Sequence, residues 1–277
     1  MSTAPGVTAV LRADDPRIAA YGAIGDHRAL TARGVFVAEG RLVVARLLAR
    51  AASAGRWHDA VESVLLSDAA YAHMRDALPP APAAPLFVVP QPVMNTIVGF
   101  NIHRGCLALV RRPAMPSLPA ALEGVGVAIA LEGVNNPDNV GGIFRSGAAL
   151  GADLVLLGPG CADPLYRKSV RTSMGAVLEL TSAPADPWPD ALAHLRRAGV
   201  VLAALTPDAG ATPLSGWRPG TSPIAIVAGA EGPGLSAATL DAADVRLSIP
   251  MTDRVDSLNV HTAVAIALYH VRESRTS

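Results

Sequence analysis

The chain has 277 residues, 51% of them hydrophobic, 17% charged and 4% aromatic, with a formal net charge of zero. That balance excludes a chain disordered throughout, which needs low hydrophobicity and high net charge. It leaves room for one large domain or two modest ones with a buried core. The two cysteines, Cys106 and Cys161, exclude a disulfide scaffold and have no metal-ligand spacing. No apolar run reaches the roughly 18 residues of a membrane span, and Met1 to Val10 lacks the basic start and apolar stretch of a leader. A soluble, cytoplasmic protein is expected. The neutral total hides an asymmetry: residues 1–115 carry 12 Lys+Arg against 8 Asp+Glu, and residues 116–277 carry 11 against 15. A basic first half is compatible with a nucleic-acid-facing part, and equally with ordinary scatter. All the cations but Lys168 are arginine, whose planar fork suits phosphate.

In chain order, the first 20 or so residues show no firm pattern. Glu39 to Ala54 reads as a helix with Leu42, Val43, Leu47 and Leu48 as its apolar positions. Val61 to Leu66 reads as a strand, and Ser67 as the cap of a helix running toward Ala77. Leu86 to Val89 and Cys106 to Val110 read as further strands. A small αβ platform results, with no catalytic constellation in it. Three prolines between Arg111 and Gly124 then break all periodicity, giving a first domain over 1–112, a linker over 113–124 and a second domain over 125–277. In the second domain the apolar runs lengthen: Val125–Leu131, Leu154–Leu157, Val200–Leu205, Ile224–Ala228 and Val245–Ile249, with helical segments between several of them. Continuous apolar strands mark a parallel sheet covered on both faces, an α/β domain.

Several chemistries are absent. No Gly-Lys-Ser/Thr follows a glycine loop, no GxGxxG follows a strand, and GxSxG and HExxH do not occur. His58, His73 and His194 are scattered and read as solvated helix residues, so no metal is called for.

Three segments do carry a signal. In LEGVNNPDNVGGIFRSGAAL, Leu131 to Leu150, Asn136 is a helix N-cap with Pro137 after it. Val140, Ile143, Phe144, Gly147 and Leu150 form the buried stripe. Gly141 and Gly142 have no packing reason in a first turn, where they cost up to about 1 kcal/mol each against alanine; close approach by another backbone or a ligand would explain them. Asn139 and Arg145 lie about 120° apart around the helix, too far to line one narrow face. In IAIVAGAEGPGL, Ile224 to Leu235, a buried strand ends in glycines around Glu231, at the end of the sheet where such folds bind ligands. In IPMTDRVDSLNVHTAVAIALYH, Ile249 to His270, Ser257 is the cap of an embedded helix whose stripe is Val260, Val264, Leu268 and Val271. Ser257 and Asn259 then stand at a helix N-terminus, where free N–H groups meet ligands. Taken singly, these segments also read as a capped helix, a glycine turn and simple capping.

Together, Asn139-x-Gly141-x-x-x-Arg145, Gly229-x-Glu231-Gly-x-Gly-Leu235 and Ile249-Pro-Met-(x)5-Ser257-Leu-Asn259-Val260 resemble the three motifs of the SpoU/TrmH family of RNA ribose 2′-O-methyltransferases, in the SPOUT superfamily. The resemblance spans 125–273, and FVAEGRLVVARLL at Phe36 to Leu48 is similar to the family's N-terminal substrate-binding domain. Asp253, Gly142 and His261-Thr262 depart from residues common in the family, beside the motif residues. The resemblance implies a parallel sheet tied in a deep trefoil knot, with S-adenosylmethionine held by Gly229, Ile249 and Leu258, and Thr206 as a further contact. It implies a homodimer in which Arg145 faces the partner's cofactor, while Asn139, Glu231, Ser257 and Asn259 shape the pocket. The implied substrate is ribosomal RNA, with transfer RNA as runner-up. The rival readings are a catalytically silent RNA-binding protein on the same fold, and a nucleotide-dependent oxidoreductase, which lacks its fingerprint.

Overall fold

The computed structural model describes residues 6–78, 84–102 and 104–276. The chain forms two compact units, Met1–Ala114 with Leu165–Gly175, and Met115–Pro164 with Ala176–Ser277.

The first unit contains β1 (Val7–Ala9), α1 (His27–Ala32), β2 (Val35–Glu39), α2 (Arg41–Ala51), β3 (Val61–Ser67), α3 (Asp68–Met74), β4 (Leu86–Val89), α4 (Gln91–Val98) and β5 (Cys106–Arg111). Its sheet has the order β1-β4-β3-β5-β2. β4 runs parallel to β1 and β3, while β5 is antiparallel to β2 and β3. Residues 7–23 contain regular structure, where the sequence reading had none over the first 20 or so. β1 pairs with β4, and a 3-10 helix over Pro16–Ala23 buries Ile18 and Tyr21 in the core with Val37, Leu65 and Leu107. The Tyr21 hydroxyl donates to the Ser63 carbonyl at 2.9 Å, and burial pushes its pKa up. A short edge strand and a 3-10 turn have no α or β period, so the sequence carried no signal for them.

Other bounds shift for local reasons. Glu39 ends a fully buried strand instead of opening a helix, and Gly40, at φ 105°, makes the turn into α2. Val43, Val44, Leu47 and Leu48 face the core, and Leu42 is exposed. Ser67 does cap α3, accepting from the Ala70 N–H at 3.1 Å. His58 lies in a turn outside any helix.

The second unit contains α5 (Leu118–Ala121), β6 (Val127–Glu132), α6 (Pro137–Leu150), β7 (Leu154–Leu157), β8 (Thr181–Pro184), α8 (Asp190–Arg197), β9 (Val201–Leu205), β10 (Thr212–Pro213), β11 (Ile224–Gly229), α9 (Ala237–Ala242), β12 (Val245–Ser248) and α10 (Val260–Thr276); α7 (Arg167–Thr172) belongs to the first unit. The sheet is parallel throughout, in the order β10-β12-β9-β11-β6-β7-β8. Ala130, Leu156, Ala204 and Val227 lie in the core on one face. Their strand neighbours Ile129, Val155, Ala203 and Ile226 are equally buried, which is why these strands read as unbroken apolar runs. The polar edge strand β8 and the two-residue β10 lack that signature. α5 lies inside the stretch read as linker, and Ala121 joins the core. Among the described residues no helix is long and apolar enough to cross a membrane.

Candidate functional site

A cavity of about 400 Å³ opens at the carboxyl ends of the adjacent strands β9, β11 and β12, the end at which open parallel sheets bind ligands. Leu205, Leu247, Ile249 and Leu258 give it apolar walls. Gly229, Glu231 and Gly234 supply one edge, and Thr206, Asp256 and Ser257 add polar groups. Gly229, Ile249, Leu258 and Thr206, from four separate stretches of sequence, thus line one space. Leu205, Leu247 and Asp256 were not singled out from the sequence; Leu205 could have been found as the last residue of a strand ending at the site and Leu247 as the last apolar residue of β12.

Each motif has a local reason for its shape. β11 runs straight into a tight turn, where the Gly234 N–H donates to the Ala230 carbonyl at 3.0 Å and Gly232 and Gly234 have φ of 90° and 70°. A Cβ on Gly229 would lie 2.3 Å from the Gly234 carbonyl carbon. Glycine is therefore required at 229 by the loop's own backbone, before any ligand is considered. α6 starts as expected: Asn136 Oδ1 accepts from the Asp138 N–H at 3.0 Å, with Pro137 at the first position. Leu150 is only half-buried, the rest of the stripe fully.

Ser257 is not the cap of α10. That helix begins at Val260, and the capping bond comes from Asn259, whose Oδ1 accepts from the His261 N–H at 3.0 Å. Ser257 is exposed at the cavity mouth. The expected stripe of α10 is buried, but the helix is not embedded all round, since Ile266 and Tyr269 are exposed.

Asn259 also joins the three motifs. Its Nδ2 donates to Asn139 Oδ1 at 2.9 Å and to Glu231 Oε1 at 2.6 Å. Asn139 is buried on α6, 4% exposed, and Glu231 lines the cavity, so one amide aligns all three segments. Both amide hydrogens and the carbonyl oxygen of Asn259 are then engaged, which leaves its side chain no freedom to rotate. Arg145 stands apart. It is exposed on α6, makes no hydrogen bond or ion pair among the described residues, and does not line the cavity of its own chain.

Gly142 has a close neighbour, but it is a side chain and not the backbone or ligand that its sequence context suggested. A Cβ there would sit 2.9 Å from His261 Cγ and 3.2 Å from His261 Cβ. The two departures from the family pattern at these positions are thus one packing arrangement: the imidazole occupies the space that a methyl group at 142 would fill.

Residues 126–269 match the SpoU rRNA Methylase family. The chain is 41% identical over 262 residues to an uncharacterized tRNA/rRNA methyltransferase of Mycobacterium bovis, covering 92% of this chain and 88% of that one. A 23S rRNA (guanosine(2553)-2′-O)-methyltransferase of Bacillus subtilis is 32% identical over 142 residues, 51% of this chain and 56% of that one. Among solved structures, an AdoMet-bound rRNA methyltransferase of Sinorhizobium meliloti has the same fold, with TM-score 0.78 and 24% identity over 97% of this chain and 98% of that one.

Proposed function

The chain is an RNA methyltransferase of the SpoU family, and from that premise we propose that it transfers a methyl group from S-adenosylmethionine to a ribose 2′-hydroxyl, in ribosomal RNA before transfer RNA. The observation that carries this reading is the Asn139–Asn259–Glu231 chain of hydrogen bonds beside the cavity. It holds the three motifs in one arrangement at the place where a ligand would bind.

The residues present fit that cofactor. The cavity volume lies in the range of small-molecule sites, its walls are apolar enough for an adenine, and no pyrophosphate-binding loop is needed. Two carboxylates on the lining, Glu231 and Asp256, suit a ligand that carries a sulfonium and an ammonium group. The bound cofactor would supply an electrophilic methyl group on sulfur. Glu231 Oε1 is held by Asn259 and leaves Oε2 to face a cation. Thr206 Oγ1 accepts from the Asp208 N–H at 3.2 Å, so its own hydroxyl hydrogen remains to be donated into the cavity.

Arg145 acts on the nucleic acid. A guanidinium holds its proton at all ordinary pH values, so Arg145 steadies the developing 2′-oxyanion and the neighbouring phosphate rather than accepting a proton. It lies outside its own chain's cavity, and we assign it to the site of a second copy in a homodimer. Residues 1–112 form the RNA platform, joined by Leu165–Gly175, and the rest of 125–277 the methyltransferase domain; the loops around the cavity belong to a trefoil-knotted chain end.

The test combines calorimetry with S-adenosylmethionine and transfer of labelled methyl to protein-free ribosomal RNA, followed by digestion to nucleosides. We expect one cofactor per chain and label in 2′-O-methylnucleosides. Arg145→Ala should abolish transfer with cofactor affinity nearly unchanged, and Arg145→Lys, which keeps the charge without the fork, should lose most of it. Label found on a base, or an active Arg145→Ala, overturns the reading.

A further inference from the structure

The fold sharpens the charge asymmetry of the sequence. Leu165–Gly175, which lies between β7 and β8 in the chain, packs with the first unit and brings Arg167, Lys168 and Arg171 with no carboxylate. The first unit therefore carries 15 Lys+Arg against 8 Asp+Glu, and the second 8 against 15. We propose that the face of the first unit built from α2, the loop carrying Phe100 and Arg104, and α7 binds the phosphodiester backbone of the RNA substrate, with Phe100 offering a stacking edge to an unpaired base. This rests on the RNA methyltransferase reading above and gives the platform a defined surface.

The three segments meet at the end of β2. Glu39 Oε2 accepts from Arg167 Nη1 at 2.9 Å, and the Arg167 guanidinium lies 4.9 Å from the centre of the Phe100 ring. A Cβ on Gly40 would come within 3.2 Å of Arg104 Nη1, so Arg104 lies across the Gly40 turn. Arg46 of α2 donates to the Met174 carbonyl, just past α7, at 3.1 Å. Glu39 is the only carboxylate on these segments: none occurs over 40–58, 90–112 or 165–175. It is 5% exposed and its charge is met by Arg167.

Arg41, Arg46 and Arg104 are exposed around that neutral centre, and Arg171 is half-buried. Several arginines elsewhere in the unit are instead matched by neighbouring acids, as in Arg12–Asp14, Arg17–Asp15 and Arg33–Glu62. A face that gathers like charges from three elements gains nothing in folding stability, since like-charge neighbours repel. A polyanion compensates it. Arginine forks match phosphate, and Phe100, 39% exposed beside a guanidinium, supplies the aromatic contact that single-stranded RNA bases use.

The experiment uses the full chain and in vitro-transcribed 23S ribosomal RNA, with filter binding between 50 and 300 mM salt. Arg104→Glu/Arg171→Glu should bind at least about tenfold more weakly. The slope of log affinity against log salt should fall by about 0.7–0.9 for each phosphate that is no longer neutralised. Phe100→Ala should weaken binding with the slope unchanged, because stacking releases no counterions. Melting temperature and S-adenosylmethionine affinity should stay at wild-type values, and Arg104→Gln/Arg171→Gln provides a milder variant should the reversal unfold the protein. Arg75→Glu, whose wild-type partner is the adjacent Asp76, is the control for net charge. Wild-type affinity and slope in the folded double variant, an equal loss in Arg75→Glu, or equally tight binding of polyglutamate would each overturn the proposal. A wild-type protein that methylates no RNA would instead overturn the reading on which it rests.

Discussion

Replacing Gly142 by alanine should destabilise the second unit, and the sign of the effect should reverse once His261 is removed. Alanine is favoured over glycine inside a helix by about 1 kcal/mol, so the change would ordinarily help α6. Here the new methyl meets His261 Cγ at 2.9 Å, Cδ2 at 3.1 Å and Cβ at 3.2 Å, where ordinary contact begins near 3.4 Å. Turning the imidazole about χ1 relieves the ring atoms but not Cβ, which is fixed to the first turn of α10. That turn must therefore move by a few tenths of an ångström. Overpacking of this kind costs about 1–3 kcal/mol, so Gly142→Ala alone should come out between neutral and about 2 kcal/mol destabilising. In a His261→Gly background the ring and Cβ are both gone, and the same substitution should stabilise by up to about 1 kcal/mol. The coupling should exceed the roughly 0.3–0.5 kcal/mol scatter of independent sites. Urea unfolding followed by fluorescence reads this directly, because Trp217 stacks on His270 of α10 with ring centres 6.1 Å apart. Methyl transfer should fall with Gly142→Ala, since Asn259 lies two residues before His261 and aligns the motifs. A Gly142→Ala protein stabilised equally in both backgrounds would refute the reasoning.

Asn259→Ala should cost about 1–3 kcal/mol in stability, because Asn139 Oδ1 is left buried without its donor. It should also weaken S-adenosylmethionine binding by freeing Glu231; calorimetry at wild-type affinity would count against the alignment argument. Burial pushes the Cys106 thiol up to about 12 from an ordinary value of 9.0. The folded protein therefore holds a proton that the unfolded chain releases, and stability from this group falls as pH rises from about 9 toward 12. Cys106→Ala should flatten that part of a urea-midpoint profile, and at about pH 8, below the ordinary thiol value, the native thiol should resist alkylation that succeeds in denaturant.

Most inner strands of both units were legible because burial on two faces leaves an unbroken apolar run that needs no partner to be recognised. β2, equally buried, was missed because Glu39 at its end was read as opening a helix. Leu86–Val89 and Leu154–Leu157 have the same bounds in sequence and structure. The helix start at Asn136-Pro137 was legible for a similar reason: capping is a contact between residues two or three apart. What depends on distant neighbours was not. Nothing local distinguishes Ser257 from Asn259 as the cap of α10; the choice follows from Asn139 and Glu231, 120 and 28 residues away, fixing the Asn259 amide. Gly229 looked like a ligand contact, yet the first group that excludes a side chain there is the returning backbone of Gly234. The short edge strands β1, β8 and β10 owe their existence to pairing with a neighbour, and their own residues carry almost no period. Composition alone could state that the chain is neutral. Only the packing of Leu165–Gly175 against the first unit decided how far its charges are separated, because Coulomb interactions follow distance in space and not position in the chain.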